Sequence, residues 1–466
     1  MRFEILLIAT ALILLICSLI FRGDRRAKII PIAITLFFIN VIVGFLPIET
    51  GEMFGGMFRT SALNIFFKNI LNAGVFIIFL QSAGWLGKNH NEFHYPAEYF
   101  LIIISSLVGM DFMISSGDFL MLFLGLELAT IPIAALVASD IHKNKSAEGG
   151  VKLILSAALS SGILLFGISI LYATTGTVYF NEIFKLVEYD KLQILSFIFI
   201  FTGIAFKISI VPFHLWTADV YEGAPVNITS YLSVISKASA VLILMIILYR
   251  VFGQIVYIWS AVIYVTAILT MTIGNLFAIR QKNLKRYLAF SSIAQAGFIL
   301  LGVICGTAIG LSSVIYFLLI YIFSNLGAFG VVAIVSNATG KEEMDDYNGF
   351  YKTNPKLSFA MMLSLFSLAG IPPVAGFFGK FFLFTAAAKQ GYYLLVFIAV
   401  VNATISLYYY LLIVKAMFIN ENENPIEKIN SDFYAKAGLV LCVIGIIFIG
   451  FFGAIFDYIN SISLTL

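Results

Sequence analysis

The chain has 466 residues, 61% hydrophobic and 11% charged, with a formal net charge of +3. That composition excludes an ordinary soluble domain, because the apolar residues fall into runs of membrane-spanning length separated by short polar joints. The small positive balance says nothing about nucleic acid, and Cys17, Cys305 and Cys442 sit in apolar runs without metal-ligand spacing, as packing residues do.

The first apolar run, FEILLIATALILLICSLIF (3–21), has no basic start beyond Arg2 and no small-residue cleavage pattern, and RGDRRAK follows it. It reads as a retained span rather than a leader. With this one, fourteen spans are expected, centred near residues 12, 37, 73, 107, 128, 161, 202, 238, 267, 294, 322, 372, 404 and 447, the third interrupted by Lys68 and Asn69. The expected class is all-α, a polytopic membrane protein. Basic residues test the count. Sixteen fall in joints on one side, among them Arg22, Arg25, Arg26, Lys28, Lys88, Arg280, Lys282, Lys341 and Lys428. Six fall on the other: Arg2, Arg59, Lys185, Lys191, Arg250 and Lys389. The positive-inside rule makes the first side cytoplasmic or matrix-like and turns both termini outward.

Six further lysines, Lys68, Lys152, Lys207, Lys237, Lys380 and Lys415, lie inside spans or at their ends. Glu4, Glu98, Asp111, Asp118 and Asp457 are placed to reach an interface, which leaves Glu127 as the carboxylate near mid-membrane. A Lys at a helix centre costs about 2.5–3.5 kcal/mol on insertion scales. Snorkelling or local pairing accounts for Lys68 and Lys415. Lys207, Lys237 and Glu127 are too deep for that and read as a proton or ion path, the alternative being a structural buried ion pair.

Two stretches carry helix breakers beside a Lys: GIAFKISIVPFHLW (203–216) and LAGIPPVAGFFGK (368–380). Proline removes a backbone donor and blocks the carbonyl one turn earlier, so the seventh and twelfth spans should be broken. They are five steps apart in the order of spans, an odd number, so they run in opposite directions, a mark of inverted repeats in transport proteins. Counting residues along the helices puts Lys152 near the basic face and Lys207 in the inner half. Glu127 and Lys237 fall near the middle, and Lys380 lies towards the opposite face. That ladder suits a proton relay, because a buried Lys loads and releases a proton as a neighbouring charge approaches or withdraws. The serines of SVISKASA (Ser233, Ser236, Ser239) either hold water beside Lys237 or pack helices closely.

LGLELATIPIAAL around Glu127, GGVKLILSAALSSGILLFGISILYATTGT around Lys152 and FKISIVPFHLWTADVYEGAP around Lys207 resemble subunit N of NADH–quinone oxidoreductase, respiratory complex I. So do YLSVISKASA, RQKNLKRYLAFSSIAQAGFILLG, SLAGIPPVAGFFGKFFLF and SLYYYLLIVKAM, over residues 100 to 420, while the first three spans and the last fit in length only. The resemblance implies a proton-translocating membrane-arm subunit: three spans in 1–97, inverted five-helix repeats in 98–252 and 253–420, and a last span in 421–466. It makes Glu127 and Lys207 a coupling ion pair, Lys237 the central relay, Lys380 the outlet Lys and Lys152 an extra Lys of this subunit. It implies no cofactor here, with flavin, iron–sulfur clusters and quinone chemistry in partner subunits. The neighbours it implies are subunits M, J and K, the lateral helix of subunit L, and lipid of an energy-converting membrane.

One residue departs from that pattern. Gln295 stands in SSIAQ where a His is frequent, and since Gln does not titrate, transfer at that step is expected to depend on water. The four histidines, His90, His94, His142 and His214, fall in joints, and His214 and Trp216 read as interfacial anchors. Rival readings are a cation/proton antiporter subunit, the arm of a hydrogenase or other dehydrogenase, and a passive scaffold. Lys is a poor sodium ligand, and a scaffold needs no ladder. The relay reading predicts that Lys207→Ala inserts normally but loses proton movement; normal pumping by the correctly assembled variant would refute it.

Overall fold

The computed structural model describes residues 1–21, 23–87, 95–140 and 143–463. Arg22, Lys88, His90, His94 and His142 lie outside them. With no water to satisfy backbone groups in lipid, the apolar runs close their hydrogen bonds internally as helices. Thirteen helices among the described residues are long and apolar enough to cross a membrane. They are Arg2–Ile20, Arg25–Gly44, Ala62–Leu86, Pro96–Ile114, Phe119–Val137, Asn144–Thr175, Lys191–Ile208, Val226–Arg250, Gly253–Ala278, Leu284–Val303, Ala308–Thr339, Tyr393–Phe418 and Phe433–Phe451. The pair Pro355–Ala369 and Ala375–Lys389 supplies the remaining span, the twelfth, in two pieces. The fourteen expected spans are therefore all present, and an amphipathic helix, Ala454–Ser463, follows the last.

Polar residues in the joints fix where spans begin. Ser61, Asp118, Asp190, Asn283, Thr307 and Asp432 each accept a hydrogen bond from a backbone N–H in the first turn of the following helix. Burial then sorts the spans. Within Val226–Arg250 and Leu284–Val303, 94% of the most apolar window is inside the protein, against 28% for Arg2–Ile20. The eighth, tenth and eleventh spans thus form the interior, and the first shows most of its surface to lipid.

The seventh and twelfth spans break as the prolines predict. Lys191–Ile208 ends at Ser209 in the left-handed region, and the chain passes Pro212 before resuming as Leu215–Gly223. Pro355–Ala369 ends at left-handed Gly370, and Ala375–Lys389 follows Pro373. Protein groups satisfy the freed backbone: Val211 N donates to Thr270 Oγ1 at 3.0 Å, and Gly376 N to Ser367 Oγ at 3.1 Å. The fourth and fifth spans also pack as the ninth and tenth do, backbone against backbone. A Cβ on Gly125 would meet Met113 N at 2.6 Å, and one on Gly274 would meet Ala294 N at 2.6 Å.

Two expectations fail here. The third span is continuous through Lys68 and Asn69, because Lys68 pairs with Glu4 of the first span instead of seeking water. Glu4, Asp111 and Asp118 do not reach an interface; their exposures are 1%, 0% and 1%. A hairpin, Gly51–Met53 paired with Phe58–Thr60, folds over that end of the bundle, and Phe58 is itself 1% exposed. Gly125→Leu and Gly274→Leu should each destabilise the fold, overpacking typically costing about 1–3 kcal/mol and more where backbone blocks the new group. A lower unfolding temperature in detergent would register it.

Candidate functional site

The site is built on the most buried helix. Within Val226–Arg250, residues Leu232–Ser236 adopt a π-helical turn, and Lys237 follows directly. Such a turn leaves one carbonyl outside the regular α ladder and rotates the side chains after it, which is why π turns recur at functional positions. Lys237 is 4% exposed. Its Nζ donates to Ser292 Oγ on the tenth span at 2.6 Å and lies 5.7 Å from the centre of the Tyr221 ring. Asn325 Nδ2 donates to Ser233 Oγ, on the same face of the turn, at 3.0 Å.

Lys207 approaches from the seventh span, two residues before left-handed Ser209 and five before Pro212. Its ammonium donates to Thr130 Oγ1 of the fifth span, and that hydroxyl donates to Leu126 O at 2.6 Å. A small cavity joins the two lysine neighbourhoods, lined by Thr130, Lys207, Ser236, Ser239 and the apolar Met113 and Ile243. Thr130, Lys207, Ser236 and Ser239 give it polar groups within a largely apolar lining, Ser236 adjoins Lys237 in the chain, and its size is close to the minimum for one water.

On the other side the line continues through the tenth and thirteenth spans. Ser291 Oγ is hydrogen-bonded to Tyr410 OH, and Gln295 Nε2 donates both to Tyr410 OH at 3.1 Å and to Leu368 O at 2.9 Å. Leu368 and Ala369 end the first half of the broken twelfth span, and Ala369 O accepts from Lys380 Nζ at 3.0 Å. Lys380 is 5% exposed, its Nζ 4.6 Å from the centre of the Phe298 ring. The Gln295 amide thus stands against a phenol, a group that both donates and accepts.

Three sequence expectations change. Glu127 is not in ion-pair contact with Lys207; Thr130, one turn along the same helix, takes the ammonium instead. The Glu127 charge still acts on Lys207 through space, and its buried Oε1 has no hydrogen-bond partner. Lys152 stands apart from the buried line. It is 40% exposed, 2.6 Å from both Glu148 and Asp219, within a rim network in which Arg286 reaches Asp219 at 2.7 Å and Glu222 at 2.9 Å. His214 and Trp216 are not interfacial anchors but 8% exposed at the break, where Trp216 Nε1 donates to Phe206 O at 3.1 Å. That carbonyl also accepts from Ser209 N at 3.0 Å, so the indole adds a second hydrogen bond at the end of the helix. Thr130, Ser291, Ser292 and Tyr410 were not singled out from the sequence, because hydroxyls in a membrane helix usually bond their own backbone. Among the described residues no group of three or more His, Cys, Asp or Glu could hold a metal ion.

A broken seventh and twelfth span flanking a buried Lys on the eighth is the geometry to compare with known proteins. Residues 116–406 match the family described as NADH:quinone oxidoreductase/Mrp antiporter, TM. The chain belongs to that family. Within the family it is 48% identical to NADH-quinone oxidoreductase subunit N of Phocaeicola vulgatus, across 100% of this chain and 98% of that one. It is 50% identical to subunit N of Azobacteroides pseudotrichonymphae genomovar. CFP2, across 99% and 96%. The resemblance to subunit N thus extends beyond residues 100–420 to the outer spans. A chain of respiratory complex I from Thermus thermophilus with bound aureothin shares the fold, with a TM-score of 0.80 and 24% identity over 96% of each chain. For this member of the family, Tyr410→Phe should leave folding intact and slow transfer between the Lys237 and Lys380 neighbourhoods, seen as slower proton uptake by reconstituted vesicles.

Proposed function

We propose that the chain is the proton-translocating subunit N of an NADH–quinone oxidoreductase membrane arm. The observation that carries this reading is the line of three ammonium groups, Lys207, Lys237 and Lys380, buried in the interior and joined by Thr130, a small cavity, Ser292, Ser291, Tyr410 and Gln295. Lys207 is loaded or emptied as the Glu127 carboxylate draws nearer or withdraws, Lys237 stores the proton at mid-membrane, and Lys380 passes it to the outlet. Lys152, with Asp219 and Arg286, holds the half-helix Leu215–Gly223 at the inlet rim. Fixed charge and mobile hydrogen-bond donors supply the driving and the path, as a proton relay requires.

In this reading the subunit takes part in the oxidoreductase without redox chemistry of its own, and flavin, iron–sulfur clusters and quinone sit in partners. The repeats are 98–252 and 253–420, with 1–97 and 421–466 outside them. Both termini face outward, so the joints rich in Lys and Arg lie on the cytoplasmic side of the bacterial inner membrane. Glu127 points to a neighbour. It is half-buried on a helix whose outward face carries exposed Leu124 and Ile131, and a carboxylate does not stand bare against acyl chains. Subunit M covers that face, with subunits J and K further along and the lateral helix of subunit L alongside. An antiporter assignment is less well supported, because the near-full-length relatives at 48% and 50% identity are named subunit N.

Two outcomes are expected. Co-purification from native membranes in mild detergent should bring down flavin and iron–sulfur subunits; antiporter subunits alone would overturn the assignment. Lys237→Ala should assemble but lose proton pumping through this subunit, measured as fewer protons moved per quinone reduced in proteoliposomes.

A further inference from the structure

A second group of ionisable side chains lies outside the Lys207–Lys237–Lys380 line. Glu4 of the first span, Lys68 of the third and Asp111 of the fourth are 1%, 3% and 0% exposed. Lys68 Nζ pairs with Glu4 Oε1 and donates to Ser115 Oγ at 2.7 Å. Ser115 lies one turn beyond Asp111 on the same helix, which brings the Asp111 carboxylate beside the pair, and all three charges interact. Both Asp111 oxygens and Glu4 Oε2 are buried without a hydrogen-bond partner.

The surrounding charges are engaged elsewhere or stand at the rim. Arg59 pairs with Glu52 at 3.2 Å, Arg2 donates to Leu46 O at 2.7 Å, and Asp118 caps Met121 N at 2.8 Å. The Met1 amino group stands at the partly exposed rim, 3.9 Å from Glu4 Oε2. Lys68 and Glu4 neutralise each other, which leaves the Asp111 carboxylate in a dry interior with no donor to receive. A lone carboxylate there costs several kcal/mol unless something supplies a positive charge or a proton.

Its placement gives that proton somewhere to go. Phe58 of the hairpin and Phe3 of the first span cover Lys68, with ring centres 5.1 and 5.9 Å from Nζ, so the group lies beneath the hairpin and the start of the first span. Inward, Asp111 acts through space on Tyr231 of the eighth span, whose hydroxyl donates to Ser106 Oγ at 3.0 Å. Tyr231 lies just before the π turn that presents Lys237.

We propose that Glu4, Lys68 and Asp111 form a second proton-binding station beneath the 51–60 hairpin, exchanging a proton between the eighth span and the aqueous face that the hairpin covers. The station rests on the proton-translocating reading above. The transfer balances with water as carrier: a protonated water on the eighth-span side gives up one O–H bond as Asp111 gains one, and a water beneath the hairpin takes that proton and restores the carboxylate.

The test uses the assembled complex. Infrared difference spectra between rest and turnover, in light and heavy water, should show an isotope-sensitive protonated-carboxyl band that Asp111→Asn lacks. Proteoliposomes carrying this variant should move fewer protons per quinone reduced. Glu4→Gln, which keeps a hydrogen bond to Lys68, should shift the same band and serves if Asp111→Asn fails to assemble. An unchanged band in both variants would overturn the station. Lys237→Ala separates the two ideas: normal pumping by that variant refutes the translocation reading itself, whereas its loss alongside an unchanged carboxyl band refutes only the station.

Discussion

The structure depends on how three ammonium groups are held in a low-dielectric interior without matching carboxylates. Lys207 has a threonine hydroxyl, Lys237 a serine hydroxyl and Lys380 a backbone carbonyl. A direct ion pair would hold each Lys in its charged form, and moving the proton would then mean breaking a strong interaction. A single neutral acceptor stabilises the ammonium less, and at Lys207 and Lys237 it is a hydroxyl, which can donate to the neutral amine as well as accept from the ammonium. The same weakness leaves Lys207 open to the charge of Glu127 acting through space.

Keeping such groups dry requires a rigid interior, and the packing supplies it. The eighth, tenth and eleventh spans are almost wholly enclosed. The surrounding helices approach to backbone contact where Gly109 meets Gly125, where Gly274 meets Ala294 and where Gly297 meets Met271. The two breaks are the planned exceptions. At each, helical hydrogen bonding is interrupted at membrane depth, freed backbone N–H groups are met by Thr270 and Ser367, and a Lys lies within two turns. Irregular backbone in lipid survives only with such internal satisfaction, so the breaks and the buried hydroxyls form one design.

Much of this was legible in the residue order. Fourteen spans, two broken helices of opposite direction and the identity of the deep lysines all follow from hydropathy, proline placement and the cost of charge in lipid. Less legible were partners contributed by distant spans. Nothing near Lys68 in the sequence shows that Glu4, 64 residues earlier, pairs with it, and the hairpin whose Phe58 covers Lys68 occupies a joint with no pattern of its own. Trp216 reads as a belt residue until the break turns its indole onto Phe206 O.

What the sequence by itself determined is the set of local, strongly driven features: helices where apolar runs meet a solvent without hydrogen bonds, ends where Asp, Asn, Ser and Thr cap them, and breaks where proline removes a donor. These need only neighbours along the chain. The tertiary structure alone decided which hydroxyl meets which ammonium, that Thr130 rather than Glu127 takes Lys207, and that Lys152 joins a rim network with Asp219. Those contacts form between spans tens to hundreds of residues apart, and a shift of one residue in helix register turns a side chain by roughly 100° and replaces its partner. Register is set by the summed packing of whole helices, so no short stretch of sequence carries it.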